Sequence, residues 1–202
     1  MTMSISAVIL AGGQAKRMEG ADKGLQLLHG KPLFQFIYDR LHSQVETISI
    51  NANRNQTIYA TAGVPVFGDN LEGFQGPLSG ILTALERADS DFVLFVPCDS
   101  PFFPDNLLEK LKSAVDFHGV SIAYVHDGER EHPTFCLMAR SLKDKLSTYL
   151  ASGERRMLQF MRQYGAVSVD FSENKRAFTN INTLTDLTYF NQQKDFSGFI
   201  AK

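Results

Sequence analysis

The chain alternates short, wholly apolar runs with segments whose apolar residues recur every three or four positions. Ser6-Ala-Val-Ile-Leu-Ala11 has no polar alternation, which predicts a strand buried on both faces. Leu33, Phe34, Ile37 and Leu41 share one helical face over 32–41, with Pro32 suited to the first turn. Thr47–Asn51 and Val64–Phe67 read as the next two strands. Pro77 opens a helix carrying Leu78, Ile81, Leu82 and Leu85, and Phe92–Val96 is the strongest central-strand run. Pro104 is expected to open another helix, with Leu107, Leu108, Leu111 and Val115 on one side.

The second half is less regular. Val120–Val125 and Pro133–Met138 read as strands around a turn-containing segment, His126-Asp-Gly-Glu-Arg-Glu-His132. Helices are expected over 141–150, 156–164 and 183–192, with a strand over 166–170. Strands apolar on both faces need helices on both sides, so the pattern predicts an α/β fold with a mostly parallel central sheet. No linker or composition shift marks a boundary, and one domain over 1–202 is expected. Ligands of open parallel sheets sit beyond the carboxyl ends of the strands, which singles out loops 12–24, 51–55, 68–76 and 97–103.

Composition removes several classes. A formal net charge of -2, from 20 basic and 22 acidic residues, offers no broad cationic surface for a nucleic acid. No apolar run is long enough to span a bilayer, so no membrane association is expected, and the N-terminus lacks the basic start of a signal peptide. Cys98 and Cys136 form no C-x-x-C pair, and free thiols in a cytoplasmic protein are expected.

The chemistry starts at the first loop. Gly12 and Gly13 let the backbone turn and present bare N–H groups, while Lys16, Arg17 and Lys23 supply cations for a polyphosphate. Neither G-x-G-x-x-G nor G-x-x-x-x-G-K-[ST] is present, so this is neither the dinucleotide fingerprint nor a P-loop. Asp99, in Val-Pro-Cys-Asp-Ser-Pro101, puts a carboxylate at the sheet edge, where a divalent ion can bridge it to phosphate, or else caps a turn. Asp69, in Phe-Gly-Asp-Asn70, has the same address and the same two readings. Gly76 and Gly80 flank a helix start, where they can admit a flat base or merely shape the turn.

Together these segments resemble the molybdenum cofactor guanylyltransferases. The resemblance rests on L-A-G-G-x-x-x-R-M at 10–18, D-K-G at 22–24, N-A-N-R at 51–54, G-P-L-S-G at 76–80 and P-C-D-S-P at 97–101. H-D-G-E-R-E-H-P at 126–133, G-E-R-R at 153–156, V-D-F-S at 169–172 and N-I-N-T at 180–183 extend it over nearly the whole chain. It implies a three-layer Rossmann-like nucleotidyltransferase fold, with a nucleotide-binding half over about 1–115 and a pterin-side half over about 116–202. The implied reaction takes GTP and magnesium. The phosphate of molybdenum-bound molybdopterin attacks the α-phosphorus, releasing pyrophosphate and leaving a guanine dinucleotide.

The family's nucleotide-contacting backbone falls on Leu10, Ala11 and Gly12, with Gly13 beside them. Its phosphate-binding lysine falls on Lys23, its polar residue after the second strand on Asn51, and its acidic pair on Asp69 and Asp99, with Asp99 the principal magnesium ligand. Its C-terminal asparagines are Asn180 and Asn182, on the pterin side. Arg17 and Lys23 would stabilise charge on departing pyrophosphate. Glu19 intervenes before Gly20 and Leu184 replaces a common proline, both departures from the family pattern. A monomer with transient contacts to cofactor-delivery proteins is expected.

An attacking phosphomonoester has a second pKa of about 6 and needs no strong base, which agrees with loops lacking a histidine. His29, His42 and His118 read as structural or surface groups. His126 and His132 do not have H-E-x-x-H spacing, and contact of Arg130 or His132 with the second substrate is the functional alternative. Arg155 and Arg156 suit an anion or plain solvent, and Phe74 is the expected exposed member of a largely buried phenylalanine set. Three rivals stay open: cytidylyl transfer to molybdopterin, nucleotidyl transfer to a sugar phosphate, and a non-catalytic nucleotide or pterin carrier.

Overall fold

The apolar runs become the inner strands of one twisted sheet, and the helical-period segments cover it on both sides. The computed structural model describes residues 3–13, 21–73 and 75–199. Its strands are β1 (Ile5–Leu10), β2 (Leu27–Leu28), β3 (Lys31–Pro32), β4 (Ile48–Asn51), β5 (Val66–Phe67), β6 (Phe92–Pro97), β7 (Ile122–His126), β8 (Glu131–Ala139) and β9 (Val167–Asp170). The helices are α1 (Leu33–His42), α2 (Gln56–Tyr59), α3 (Pro77–Arg87), α4 (Leu107–His118), α5 (Lys143–Ala151), α6 (Met157–Gln163) and α7 (Leu184–Gln192). The main sheet runs β5-β4-β1-β6-β8-β7-β9, parallel except for β8, which is antiparallel to both neighbours.

Two apolar layers enclose the sheet. On one face Phe34, Ile37 and Leu41 of α1 and Leu107, Leu111 and Val115 of α4 pack on Ile9, Ile50 and Val96. On the other, Leu78, Ile81 and Leu85 of α3 meet Val8, Val93 and Phe95, with Leu146 of α5 and Phe160 of α6 beside them. Burying each such side chain contributes roughly 1.5–3 kcal/mol. This is the three-layer, mostly parallel α/β arrangement expected from the pattern.

Two local expectations change. Pro104 does not open α4. Its carbonyl accepts from Leu107 N at 3.1 Å, while Phe102 and Phe103 bury themselves in different cores and delay the helix to Leu107. Pro32 lies in β3 and precedes α1, because residues 27–32 form a two-stranded hairpin with no apolar period to announce it. Among the described phenylalanines Phe117 stands out, 86% exposed; Phe74, the expected exposed one, lies outside the described residues.

A third cluster places the C-terminal segment. Leu28 and Leu33 pack with Phe102, Ile181 and Phe190. The Phe102 ring lies 5.2 Å from Phe190, 4.9 Å from Phe196 and 5.5 Å from Phe199. Thr183 caps α7 by a reciprocal box with Asp186, so the segment just before that helix is held at both ends. Ile181 N donates to Asp99 O at 2.7 Å, which pins residues 180–182 to the loop after β6.

Candidate functional site

The carboxyl ends of β1, β4 and β6 open into a cleft of about 370 Å³. Leu10, Gly12, Gly13, Asn51, Asp69, Gln75, Gly76, Gly80 and Thr134 line it, so most of the predicted nucleotide residues share one wall. Ala11 is buried behind them, its amide bonded to Asn51 O at 2.8 Å. Thr134 arrives from the far half because the β7–β8 register shifts between Tyr124↔Cys136 and Val125↔His132, leaving 133–135 as an insertion in the ladder.

Asn51 and Asp69 form one unit. Asn51, 2% exposed, donates from Nδ2 to Asp69 Oδ1 at 2.9 Å, and Asn53 accepts from Asp69 N at 2.8 Å. Gly80 makes the unit fit, since a Cβ there would lie 2.3 Å from Asn51 Oδ1. Its absent side chain therefore makes room for an asparagine as well as facing the cleft. Gly13 differs: a Cβ on it would meet no atom of the described residues within 4 Å, so its backbone is bare toward them. Gly76, at φ 78° and ψ −174°, holds a backbone conformation that favours glycine, immediately before α3.

Lys23 joins two loops. Its Nζ donates to Asp99 Oδ2 at 3.2 Å and to Asn182 Oδ1 at 2.7 Å. Ser100, fully buried, places its Oγ 2.6 Å from Asn180 Oδ1 and 3.2 Å from Asp99 Oδ1; the one hydroxyl proton serves the shorter contact. Asp99 and the two C-terminal asparagines are thus one constellation with Lys23. Asp69 stands apart from it, tied to Asn51. Arg17, the other predicted cation, lies outside the described residues, as do Lys16 and Glu19.

The segment bearing Lys23 is itself anchored. Tyr59, fully buried, donates its hydroxyl to Asp22 Oδ1 at 2.5 Å, and Asn55 Nδ2 donates to Asp22 Oδ2 at 3.1 Å. Gly24 permits this, because a Cβ there would sit 2.5 Å from the Tyr59 oxygen. Burial first, then the neighbouring Cys98 and the bonded Asp22, push the Tyr59 hydroxyl far above its ordinary pKa, so it remains a donor. Cys98 is a free, buried thiol whose pKa burial likewise raises, which removes it as a nucleophile; Cys136 is also buried and free.

Residues 7–167 match the family model described as a MobA-like NTP transferase domain. The chain belongs to that family. A molybdenum cofactor guanylyltransferase of Mannheimia succiniciproducens is 68% identical over 187 residues, covering 93% of this chain and 98% of that protein. One from Histophilus somni (strain 2336) is 67% identical, covering 93% and 96%. The crystal structure of molybdopterin-guanine dinucleotide biosynthesis protein A from Archaeoglobus fulgidus superposes with a TM-score of 0.76 at 21% identity, covering 93% of this chain and 97% of that one, a likeness of fold. The chain is a nucleotidyltransferase, as the motifs implied.

Within this MobA-like frame, several site residues had no role in the sequence reading. Asn53, Ser100 and Asp22 sat inside the motifs, but their contacts are tertiary. Nothing local marks Tyr59 or Gln75. Arg155, expected to meet an anion or solvent, donates to Gln75 Oε1 at 2.6 Å and to Leu150 O at 2.7 Å, so it buttresses the cleft wall. His29 sits 3.3 Å from Phe190 O, His42 stacks on Tyr38, and His126 Nδ1 accepts from Gly128 N, all structural uses. No group of three or more His, Cys, Asp or Glu side chains suited to a metal ion gathers among the described residues. No helix among them is long and apolar enough to cross a membrane.

Proposed function

We propose that the chain transfers GMP from GTP to the phosphate of molybdenum-bound molybdopterin, releasing pyrophosphate and forming a guanine dinucleotide cofactor. The observation that carries this reading is Lys23 held between Asp99 and Asn182, at the junction of the loop after β6 with the C-terminal asparagines. The names of the relatives supply the acceptor and the base.

GTP would lie in the cleft between Gly12, Gly13 and the start of α3, with its phosphates turned toward Lys23. An acceptor phosphate oxygen attacks the α-phosphorus. The bond from that phosphorus to the bridging oxygen breaks, and the electron pair leaves with pyrophosphate. A phosphomonoester is largely ionised near neutral pH, so the side chains need not remove a proton. Their work is orientation and charge stabilisation. Lys23 has three donors and spends two on Asp99 and Asn182, leaving one for a phosphate oxygen.

Asp99 offers a part-buried carboxylate at this junction, which suits a hard divalent cation such as magnesium. With no closed cage among the described residues, the remaining ligands would be phosphate oxygens and water. When bound, the ion would neutralise charge on the transferring phosphate. Asp69, through Asn51, would shape the nucleotide side. We further assign 1–202 to a single domain, its nucleotide half ending near 115, working in the cytoplasm. The test is pyrophosphate release from GTP and magnesium with molybdenum-bound molybdopterin, repeated with CTP. GTP-dependent release is expected; release with CTP alone would move the chain to cytidylyl transfer.

A further inference from the structure

A second cleft, of about 350 Å³, lies between the β7–β8 turn and residues 175–182. It is within the size range of small-molecule sites. Asn182 lines this cleft while accepting from Lys23, so a ligand whose phosphate reaches Lys23 has this space for the rest of its body.

The wall of the cleft is built around a histidine–carboxylate pair. His132 Nε2 lies 2.7 Å from Asp127 Oδ2, and Asp127 is 5% exposed. Its other oxygen accepts from Glu129 N at 2.8 Å and Arg130 N at 2.7 Å. Burial alone would raise the Asp127 pKa, but the His132 contact and these amides outweigh it and hold the carboxyl at about 2. An ionised carboxylate can only accept, so Nε2 is the donor in this contact and Nδ1 is the ring nitrogen left to meet a ligand. The ring also leans on buried Phe178, 5.5 Å between centroids. Around it, Glu129 is paired with Lys175, which leaves Arg130 and Arg176 as cations of the lining.

We propose that this cleft is the subsite for the non-reacting end of the phosphate acceptor, a flat nitrogen heterocycle, and that His132, oriented by Asp127, determines its specificity. Resting on the guanylyl-transfer reading, the assignment gives Nδ1 the role of accepting a ring N–H and Arg130 that of donating to a ring carbonyl. The spacing of His126 and His132 carries no such information. It is the bulge in β8 that sends His132 to this cleft and Thr134 to the nucleotide cleft.

His132→Gln tests this, because its amide can still donate to Asp127 while the Nδ1 lone pair is lost. The measurements are acceptor KM with molybdopterin, the GTP dissociation constant and a thermal melt. An increase of about ten-fold in acceptor KM, with GTP affinity and melting point retained, is expected. Unchanged acceptor KM overturns the proposal. Should His132→Gln melt early, Arg130→Gln, on an exposed side chain, is expected to raise the same KM, and no rise overturns it. If the wild type releases no pyrophosphate with GTP and molybdopterin, the guanylyl reading falls and binding of molybdopterin alone is measured. Binding weakened by His132→Gln sustains the subsite; equal binding, or none by the wild type, overturns it.

Discussion

Lys23 donates to Asn182, 159 positions further along the chain, at 2.7 Å. The same ammonium meets Asp99, so the first loop, the loop after β6 and the C-terminal segment converge on one cation. Lys23→Ala should therefore lose turnover while keeping the fold, by at least ten-fold, or about 1.4 kcal/mol of transition-state stabilisation. Turnover at saturating GTP and a thermal melt measure the two effects. A variant that retains half the wild-type turnover removes Lys23 from the catalytic set.

Asp99 and Asp69 are separated by their partners. Asp99 touches Lys23 and Ser100, whereas Asp69 is held by Asn51 and Asn53. Asp99→Asn preserves size and turn hydrogen bonding but removes the charge, and should cost about two powers of ten in turnover, or about 2.7 kcal/mol. Part of that loss should return at high magnesium. Asp69→Asn should act mainly on GTP affinity. The comparison is turnover against magnesium for both variants, with circular dichroism as a folding check; a larger turnover loss in Asp69→Asn reverses the assignment.

Gly80 and Gly13 face the same cleft for different reasons. Gly80→Ala would put a Cβ 2.3 Å from Asn51 Oδ1 and must displace that buried side chain, so both the melting point and GTP affinity should fall. Gly13→Ala meets no atom of the described residues within 4 Å and should leave the melting point nearly unchanged, with GTP affinity reduced. Calorimetric titration of both variants decides this. Full GTP affinity in Gly13→Ala would show that the nucleotide does not approach that backbone.

Tyr59→Phe deletes only the hydroxyl that holds Asp22. A hydrogen bond to a charged group contributes about 1.5–3 kcal/mol, so the melting point should drop by several degrees. Because Asp22 directly precedes Lys23, turnover should fall further than GTP affinity. A lower melting point with wild-type turnover would confine Tyr59 to stability.

Acid should reveal the Asp127–His132 pair. The folded-state pKa of Asp127, about 2, lies below its ordinary 3.8, so the folded chain binds fewer protons than the unfolded one. The resulting stability is fully present above that ordinary value and is lost as pH falls through about 2. Denaturant midpoints between pH 6 and 2 should show Asp127→Asn less stable at the upper end and converging with wild type at the lower. Parallel curves would refute the linkage.

The sequence by itself determined the principal elements and their order, though not the β2–β3 hairpin or α2. β1, β6 and α3 declare themselves through a continuous apolar run or a helical apolar period, because both signals lie within a few neighbouring residues. Their alternation also points to the strand ends where the loops bearing Gly12, Asn51, Asp69 and Asp99 emerge. Only the tertiary structure decided what those loops touch. The antiparallel insertion of β8 between β6 and β7, with its bulge, brings Thr134 and His132 to separate clefts. The Phe102–Phe190 cluster carries Asn180 and Asn182 to Ser100 and Lys23. Tyr59 finds Asp22, and Gly80 makes room for Asn51, through packing between elements distant in sequence. Periodicity records which face of an element meets the core, whereas these pairings depend on strand order and on the close packing that selects one mutual arrangement.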